Sequence, residues 1–144
     1  MKIVDANVLL YAVNSASDHH RASVQWLDGA LSGSDAVGFA WVPLLAFVRL
    51  ATRHGLFPSP LSPEAAIGQV TDWLAASTAV AIGPTPRHAE ILARMLAVVG
   101  AGGNLVNDAH LAALAIENRG SVVSYDNDFG RFPAVRWDRP DPLP

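Results

Sequence analysis

Cysteine is absent from all 144 residues, which excludes disulfides, thiolate zinc sites and cysteine nucleophiles together. Lysine occurs once against nine arginines, and a net charge of −3 with a pI near 5.9 gives no sign of a broad basic surface. No apolar run reaches the ~18 residues of a membrane span. The opening Met-Lys-Ile-Val-Asp meets a polar group too early for a secretory signal, so a soluble cytoplasmic protein is expected. The HExxH spacing of zinc hydrolases is missing, and Gly100-Ala-Gly-Gly-Asn lacks the spacing of a phosphate loop. No internal repeat or low-complexity tract appears.

What is present is a globular chain. The apolar fraction of 51% against 16% charged argues against disorder and suggests that some apolar surface serves a partner. The length suits one domain over residues 1–144, with a proline-rich tail from about residue 138.

Short strands alternate with helices along it. Ile3-Val4 begins a buried strand, and residues 6–13 read as a helix. Ser17 or Asp18 caps a second helix running to about residue 31, where Ala22, Trp26, Leu27, Ala30 and Leu31 recur at three and four residues. A strand over 37–40 passes into a helix over 41–53 with Pro43 in its first turn. Pro58, Pro60 and Pro63 make a connector before a helix over 63–76 and a strand over 79–82. A helix is predicted over 87–99, a flexible turn over 100–103, and a helix over 104–118 that is apolar nearly all round and hence central. A strand over 121–125, a turn-rich stretch over 126–131 and an edge strand over 135–137 complete the order. Such alternation predicts parallel βαβ units with right-handed crossovers, the sheet covered on both faces and ligands gathered at its carboxyl edge.

Four carboxylates stand at such junctions. Asp5 and the Asp126/Asp128 pair follow strands, and Asp108 opens the apolar helix. Brought together they make an acidic, metal-binding pocket suited to chemistry on phosphates. Each also has a plainer use. Asp5 is placed to cap a helix, Asp126-Asn127-Asp128 to form an Asx turn, and Asp108 to meet a helix dipole. With Asn104 as cap, Asp108 shares a face with Leu111, Ala112 and Ala115; with Asn107 as cap it lies in the first turn. A charge on a largely buried helix needs a cation or several donors. Asn7 is placed to orient Asp5 or a metal-bound water, or simply to bond nearby backbone. Arg49, Arg53, Arg87, Arg94 and Arg131 are candidates for local phosphate contacts. His19, His20 and His54 read as solvated cap residues, and His110, two residues after Asp108, points away from it.

Asp-Ala-Asn-Val-Leu-Leu-Tyr at the start, Asn-Asp-Ala-His-Leu-Ala-Ala-Leu-Ala before the last strand and Ser-Tyr-Asp-Asn-Asp-Phe after it together resemble a PIN-domain ribonuclease, most closely the VapC-type toxins. The resemblance covers essentially the whole chain. It implies a three-layer α/β/α sandwich with a central, mainly parallel sheet, and magnesium- or manganese-dependent RNA cleavage inhibited by a cognate antitoxin. Residue by residue it makes Asp5, Asp108 and Asp126 metal-binding catalytic acids and Asp128 an additional metal ligand. The family's usual glutamate on the helix after the second strand is replaced by Ala46, so either fewer acids suffice, another such as Glu90 substitutes, or the site is weakened. One firmly held ion and a weaker second one are then expected. Arg49, one turn from Ala46, is placed near the pocket to meet RNA phosphate or an antitoxin carboxylate.

Leu44, Leu45, Phe47, Val48 and Leu50 exceed one buried stripe, so a homodimer contact or an antitoxin helix in a groove is expected. Two other readings compete with the enzyme. One is a PIN-like binding module that has lost turnover through Ala46. The other is a haloacid-dehalogenase-type phosphatase, whose Asp-x-Asp pattern is broken at Asn7.

Overall fold

The computed structural model describes residues 1–100 and 102–141. Ala101 of the predicted turn and the last three residues of the predicted tail lie outside the described residues. Five short strands form one sheet: β1 (Lys2–Val4), β2 (Val37–Ala40), β3 (Ala79–Ile82), β4 (Ser121–Val123) and β5 (Trp137–Asp138). Their order is β3-β2-β1-β4-β5, and every neighbouring pair is parallel. Six helices join them: α1 (Ala6–Val13), α2 (His20–Leu31), α3 (Trp41–Ala51), α4 (Pro63–Leu74), α5 (His88–Val99) and α6 (Val106–Glu117). The chain steps outward from β1 to β3, then returns to lay β4 on the other side of β1. That reversal opens a crevice between the carboxyl ends of β1 and β4, the place where parallel sheets accept ligands.

Alternation along the strands sorts the core into two halves. Ile3, Ala40 and Val122 face α5 and α6, meeting Ile91, Met95 and Leu111. Val4, Phe39 and Val123 face the other four helices, meeting Leu9, Leu27, Phe47 and Trp73. The Phe47 and Trp73 rings lie edge to face with centroids 4.9 Å apart. Both faces are therefore covered, which is the α/β/α sandwich. In α6, residues 111–115 are buried without a break, as expected of a helix apolar nearly all round.

Element boundaries moved where local hydrogen bonds intervened. α2 starts at His20, with His19 as its cap residue, because Ser17 Oγ accepts the His19 N–H at 3.1 Å in a turn before the helix. A 3₁₀ turn at Gly103–Leu105 takes the place of the predicted start at Asn104, so α6 begins at Val106. Neither Asn104 nor Asn107 caps α6; Leu105 holds that position without a side-chain bond. β4 stops at Val123, and two residues later Asn7 Oδ1 accepts the Tyr125 N–H at 3.1 Å. The stretch over 126–131 is a 3₁₀ helix, Asn127–Arg131, and β5 is shifted to Trp137–Asp138.

The predicted apolar surplus on α3 is real, but of the five residues expected to carry it only Leu45 is exposed. Leu44 and Phe47 are wholly buried and Val48 and Leu50 are partly covered. Leu45 at 59% exposure and Trp41 at 49%, with Val42, form the exposed apolar face.

Candidate metal centre

Three aspartates converge beside the end of β4. One carboxylate oxygen each of Asp108, Asp126 and Asp128 lies within 4.8 Å of the others, all three side chains being partly buried. Asp108 stands in the first turn of α6. Asp126 caps the 3₁₀ helix, its Oδ1 accepting the Asp128 N–H at 2.9 Å. The Asx turn is therefore present and is what folds Asp128 back beside Asp126. Phe129, wholly buried among the residues that pack α5 and α6 on the sheet, anchors the turn from below.

Asp5 lies deeper, at the end of β1. Its Oδ1 accepts the Ala6 N–H at 2.7 Å, making it the N-cap of α1. Its Oδ2 accepts from Ser124 Oγ at 2.7 Å and Asn7 Nδ2 at 3.2 Å. Ser124 is fully buried, and its oxygen also accepts the Asp126 N–H at 2.9 Å and Asn7 Nδ2 at 3.0 Å. Asn7 and Ser124 thus tie the end of β1 to the end of β4: Asn7 bonds Asp5, and the backbone group it meets is the remote Tyr125 N–H, not a nearby one. Asp5 lies outside the three-oxygen cluster, but its charge reaches Asp108.

The electrostatics favour a cation. Burial, then the charges of Asp126, Asp5 and Asp128, push Asp108 up to about 7. Asp5 is also raised, by burial first and by Asp126 in addition, against the lowering bonds from Ser124, Ala6 and Asn7. Grouped carboxylates repel one another and take up protons unless positive charge is supplied. Arg131 Nη1, 3.9 Å from Asp128 Oδ1, supplies a distant part of it. The donor set is oxygen only, which suits hard cations of the magnesium and manganese kind. An ion ~2.1 Å from each ligand needs its oxygens within about 4.2 Å of one another, so small side-chain rotations suffice.

Other candidates are not among the three clustered ligands. Glu90 is exposed on α5, with Arg87 at 3.7 Å and Arg94 at 3.8 Å, and is not in the cluster. Arg49 is exposed in the last turn of α3 and makes no ion pair among the described residues, and Ala46 is partly buried on the same helix. His19 and His20 are more than solvated caps: the His19 ring lies 4.4 Å from that of Tyr125, and His20 Nδ1 meets the Tyr11 carbonyl at 2.8 Å.

Two arrangements escaped the sequence reading. Ser124 is one; a lone hydroxyl between Val123 and Tyr125 at a buried strand end has to find a partner, and that was the available signal. The second is His88 with Glu117 and His110. His88 Nδ1 meets Glu117 Oε2 at 2.5 Å and its Nε2 meets His110 Nδ1 at 2.8 Å, which turns His110 away from the acids.

Comparison with known proteins places this geometry. The PIN domain family profile matches residues 2–135. The chain is 74% identical to Ribonuclease VapC37 of Mycobacterium tuberculosis over 143 residues, 99% of each chain. Among solved structures it is similar to the Mycobacterium tuberculosis VapC20, described as a sarcin-ricin loop cleaving toxin, with TM-score 0.68, 16% identity and coverage of 90% of this chain and 93% of that one. A toxin–antitoxin complex from Klebsiella pneumoniae gives TM-score 0.65 at 16% identity, covering 99% and 100%. At such identity the solved structures speak for the fold.

Proposed function

The chain belongs to the PIN-domain family, and from that premise we propose that it is a metal-dependent endoribonuclease, the toxin of a toxin–antitoxin pair, working in the cytoplasm as one domain. The observation that carries the reading is the convergence of Asp108, Asp126 and Asp128 within 4.8 Å beside the partly buried Asp5. The 74% identical relative is a ribonuclease by name, which supports the reaction.

Asp108, Asp126 and Asp128, with Asp5 behind them, would hold magnesium or manganese. Bound there, such an ion lowers the pKa of water and stabilises charge developing on the attacked phosphodiester. The protein's own part is preorganisation. Ser124 and Asn7 fix the Asp5 carboxylate and the Asp126 backbone to each other across two strands, so the acids are in place before RNA arrives. Asp108, pushed up to about 7 by burial and its acidic neighbours, would give up its proton when the ion binds. Arg49 is free to meet an RNA phosphate or an antitoxin carboxylate.

The Klebsiella pneumoniae toxin–antitoxin complex supports a protein partner. The exposed Trp41, Val42 and Leu45 face of α3 supports a homodimer contact or a seat for that partner. Among the described residues no helix is long and apolar enough to cross a membrane.

The test is RNA cleavage with magnesium or manganese by the parent and by Asp5→Asn and Ala46→Glu variants, followed by sequencing of the new 5′ ends to map the cut. Cleavage by the parent that vanishes in Asp5→Asn sustains the enzyme. Cleavage by Ala46→Glu alone makes the natural chain a binding module. Light scattering of the isolated chain decides the dimer.

A further inference from the structure

The end of the sheet opposite the acids is basic. Lys2, Arg119 and Arg136 line one groove past the starts of β1, β4 and β5. Arg119 also lines a second groove, with Arg87 and Arg94, between the start of α5 and the end of α6. Five of the ten lysine and arginine residues thus share one continuous surface on a chain that carries −3 overall. The acids nearby are already engaged. Asp138 pairs with Lys2 at 3.1 Å, Glu90 lies between Arg87 and Arg94, and the Glu117 side chain, 1% exposed, is held by Thr85 and His88. Arg119 and Arg136 are exposed, and their guanidinium groups have no partner among the described residues.

Arg119 is held at the junction of the two grooves against its backbone preference. Its φ of 52° makes it the one non-glycine residue in the left-handed region among those described. It closes α6: the Arg119 N–H donates to the Ile116 carbonyl at 3.1 Å and the Gly120 N–H to that of Ala115 at 2.8 Å. Helix-ending turns of this kind favour glycine at the left-handed position. Here the glycine is the next residue, where an added Cβ would come within 2.5 Å of the Met1 carbonyl oxygen. Packing therefore accounts for Gly120 and leaves Arg119 unexplained. A positive charge at a helix C-terminus is favourable, but an unstrained neighbouring position offers the same benefit. Strain kept on an exposed, unpaired arginine points to use outside the fold.

We propose that this surface, with Arg119 at its centre, holds the phosphate backbone of the RNA flanking the bond cut at the acids. It rests on the ribonuclease reading above and adds a substrate class to it. Eleven residues separate Asp108 from Arg119, and α6 rises about 1.5 Å per residue, so the contact lies ~16 Å from the acids. That span is several nucleotides of an A-form RNA strand, so the contact is to flanking backbone and not to the cut bond itself. Guanidinium forks grip phosphates in any sequence, so the gain is in affinity for long or base-paired RNA over short oligonucleotides.

Arg119→Gly is the informative variant, because a structural role and a binding role move it in opposite directions. Glycine accepts the left-handed φ, so the melting temperature does not fall. Loss of one phosphate contact weakens binding of a labelled stem–loop RNA about eightfold at 0.1 M salt and lowers the salt slope by about one. Binding is read by fluorescence anisotropy in an Asp126→Asn background, and Arg136→Gln adds a second step of similar size. Cleavage of a short oligonucleotide spanning the mapped cut stays at the parent's level in Arg119→Gly. Unchanged affinity and slope overturn the proposal while leaving the nuclease standing. So does a variant that binds RNA like the parent but no longer co-purifies with its antitoxin, since the grooves then belong to an acidic protein segment. A parent that neither cuts nor binds RNA fells the ribonuclease reading, and this inference with it.

Discussion

Metal affinity should depend on pH far more steeply than ordinary carboxylates allow. Asp108 ionises at about 7 because its burial and the charges of Asp126, Asp5 and Asp128 all disfavour the anion. An ion that needs this anion competes with the proton, which multiplies the apparent Kd by ~100 at pH 5 and by about 1.1 at pH 8. The ratio, about 90-fold, corresponds to ~2.7 kcal/mol. An aspartate at the ordinary value gives less than about 1.1-fold at either pH. Calorimetric titration of manganese into the parent at the two pH values reads the ratio directly, with Asp108→Asn as a weaker and flatter control. A parent whose Kd moves less than about threefold refutes the coupling. The folding consequence has a definite sign. The native pKa lies above the unfolded value of 3.8, so the stability contributed by the bound proton is fully present below 3.8 and is lost as pH rises through about 7. Partial solvent exposure screens that loss to a fraction of the full shift. Manganese then raises the melting temperature at pH 8 and hardly at all at pH 5.

Two further outcomes test the groups that hold the architecture. Ser124→Ala removes the hydroxyl shared by Asp5, Asn7 and the Asp126 N–H, at a cost of about 2–3 kcal/mol, and shifts Asp5 further upward. Thermal melting should drop by roughly 4–10 °C, and a change under about 1 °C would show the network to be dispensable. His88→Ala strips one donor from the nearly unexposed Glu117 carboxylate and costs about 1.5–3 kcal/mol by urea denaturation at neutral pH. Burial pushes Glu117 upward, but bonds from Thr85 and His88 outweigh it and leave its pKa below 4.5. Its contribution is therefore present above 4.5 and lost as pH falls through the native value, and the variant should show a shallower acid-side decline. An unchanged acid limb would mean that His88 does not set this carboxylate.

Much of the fold was legible because a sheet covered on both faces leaves a simple trace. Its strands are short apolar runs such as residues 37–40 and 79–82, separated by helices with capping residues and glycine stops. Ends were less legible where the partner is remote. Nothing adjacent to Tyr125 announces that Asn7, 118 residues earlier, takes its N–H. The acids could be named from their junctions, since Asp5 and Asp126 follow β1 and β4, which the chain reversal places side by side. Sequence did not reveal how the acids would group, so the expected cap Asp5 stands partly buried beside a cluster of three others. His88 was invisible for the same reason as Asn7's bond: its partners lie 22 and 29 residues away, beyond any local periodicity.

The hydrogen bond from Ser124 to Asp5 spans 119 residues. Until β4 has been synthesised and docked, Asp5 has only Ala6 and Asn7 to orient it, and the pocket lacks Asp126 and Asp128. Closing so long a loop comes late in folding, after the local helices have formed. A growing chain on the ribosome is therefore a harmless one, and any truncation before residue 121 leaves a cell with a product that has nothing to be restrained.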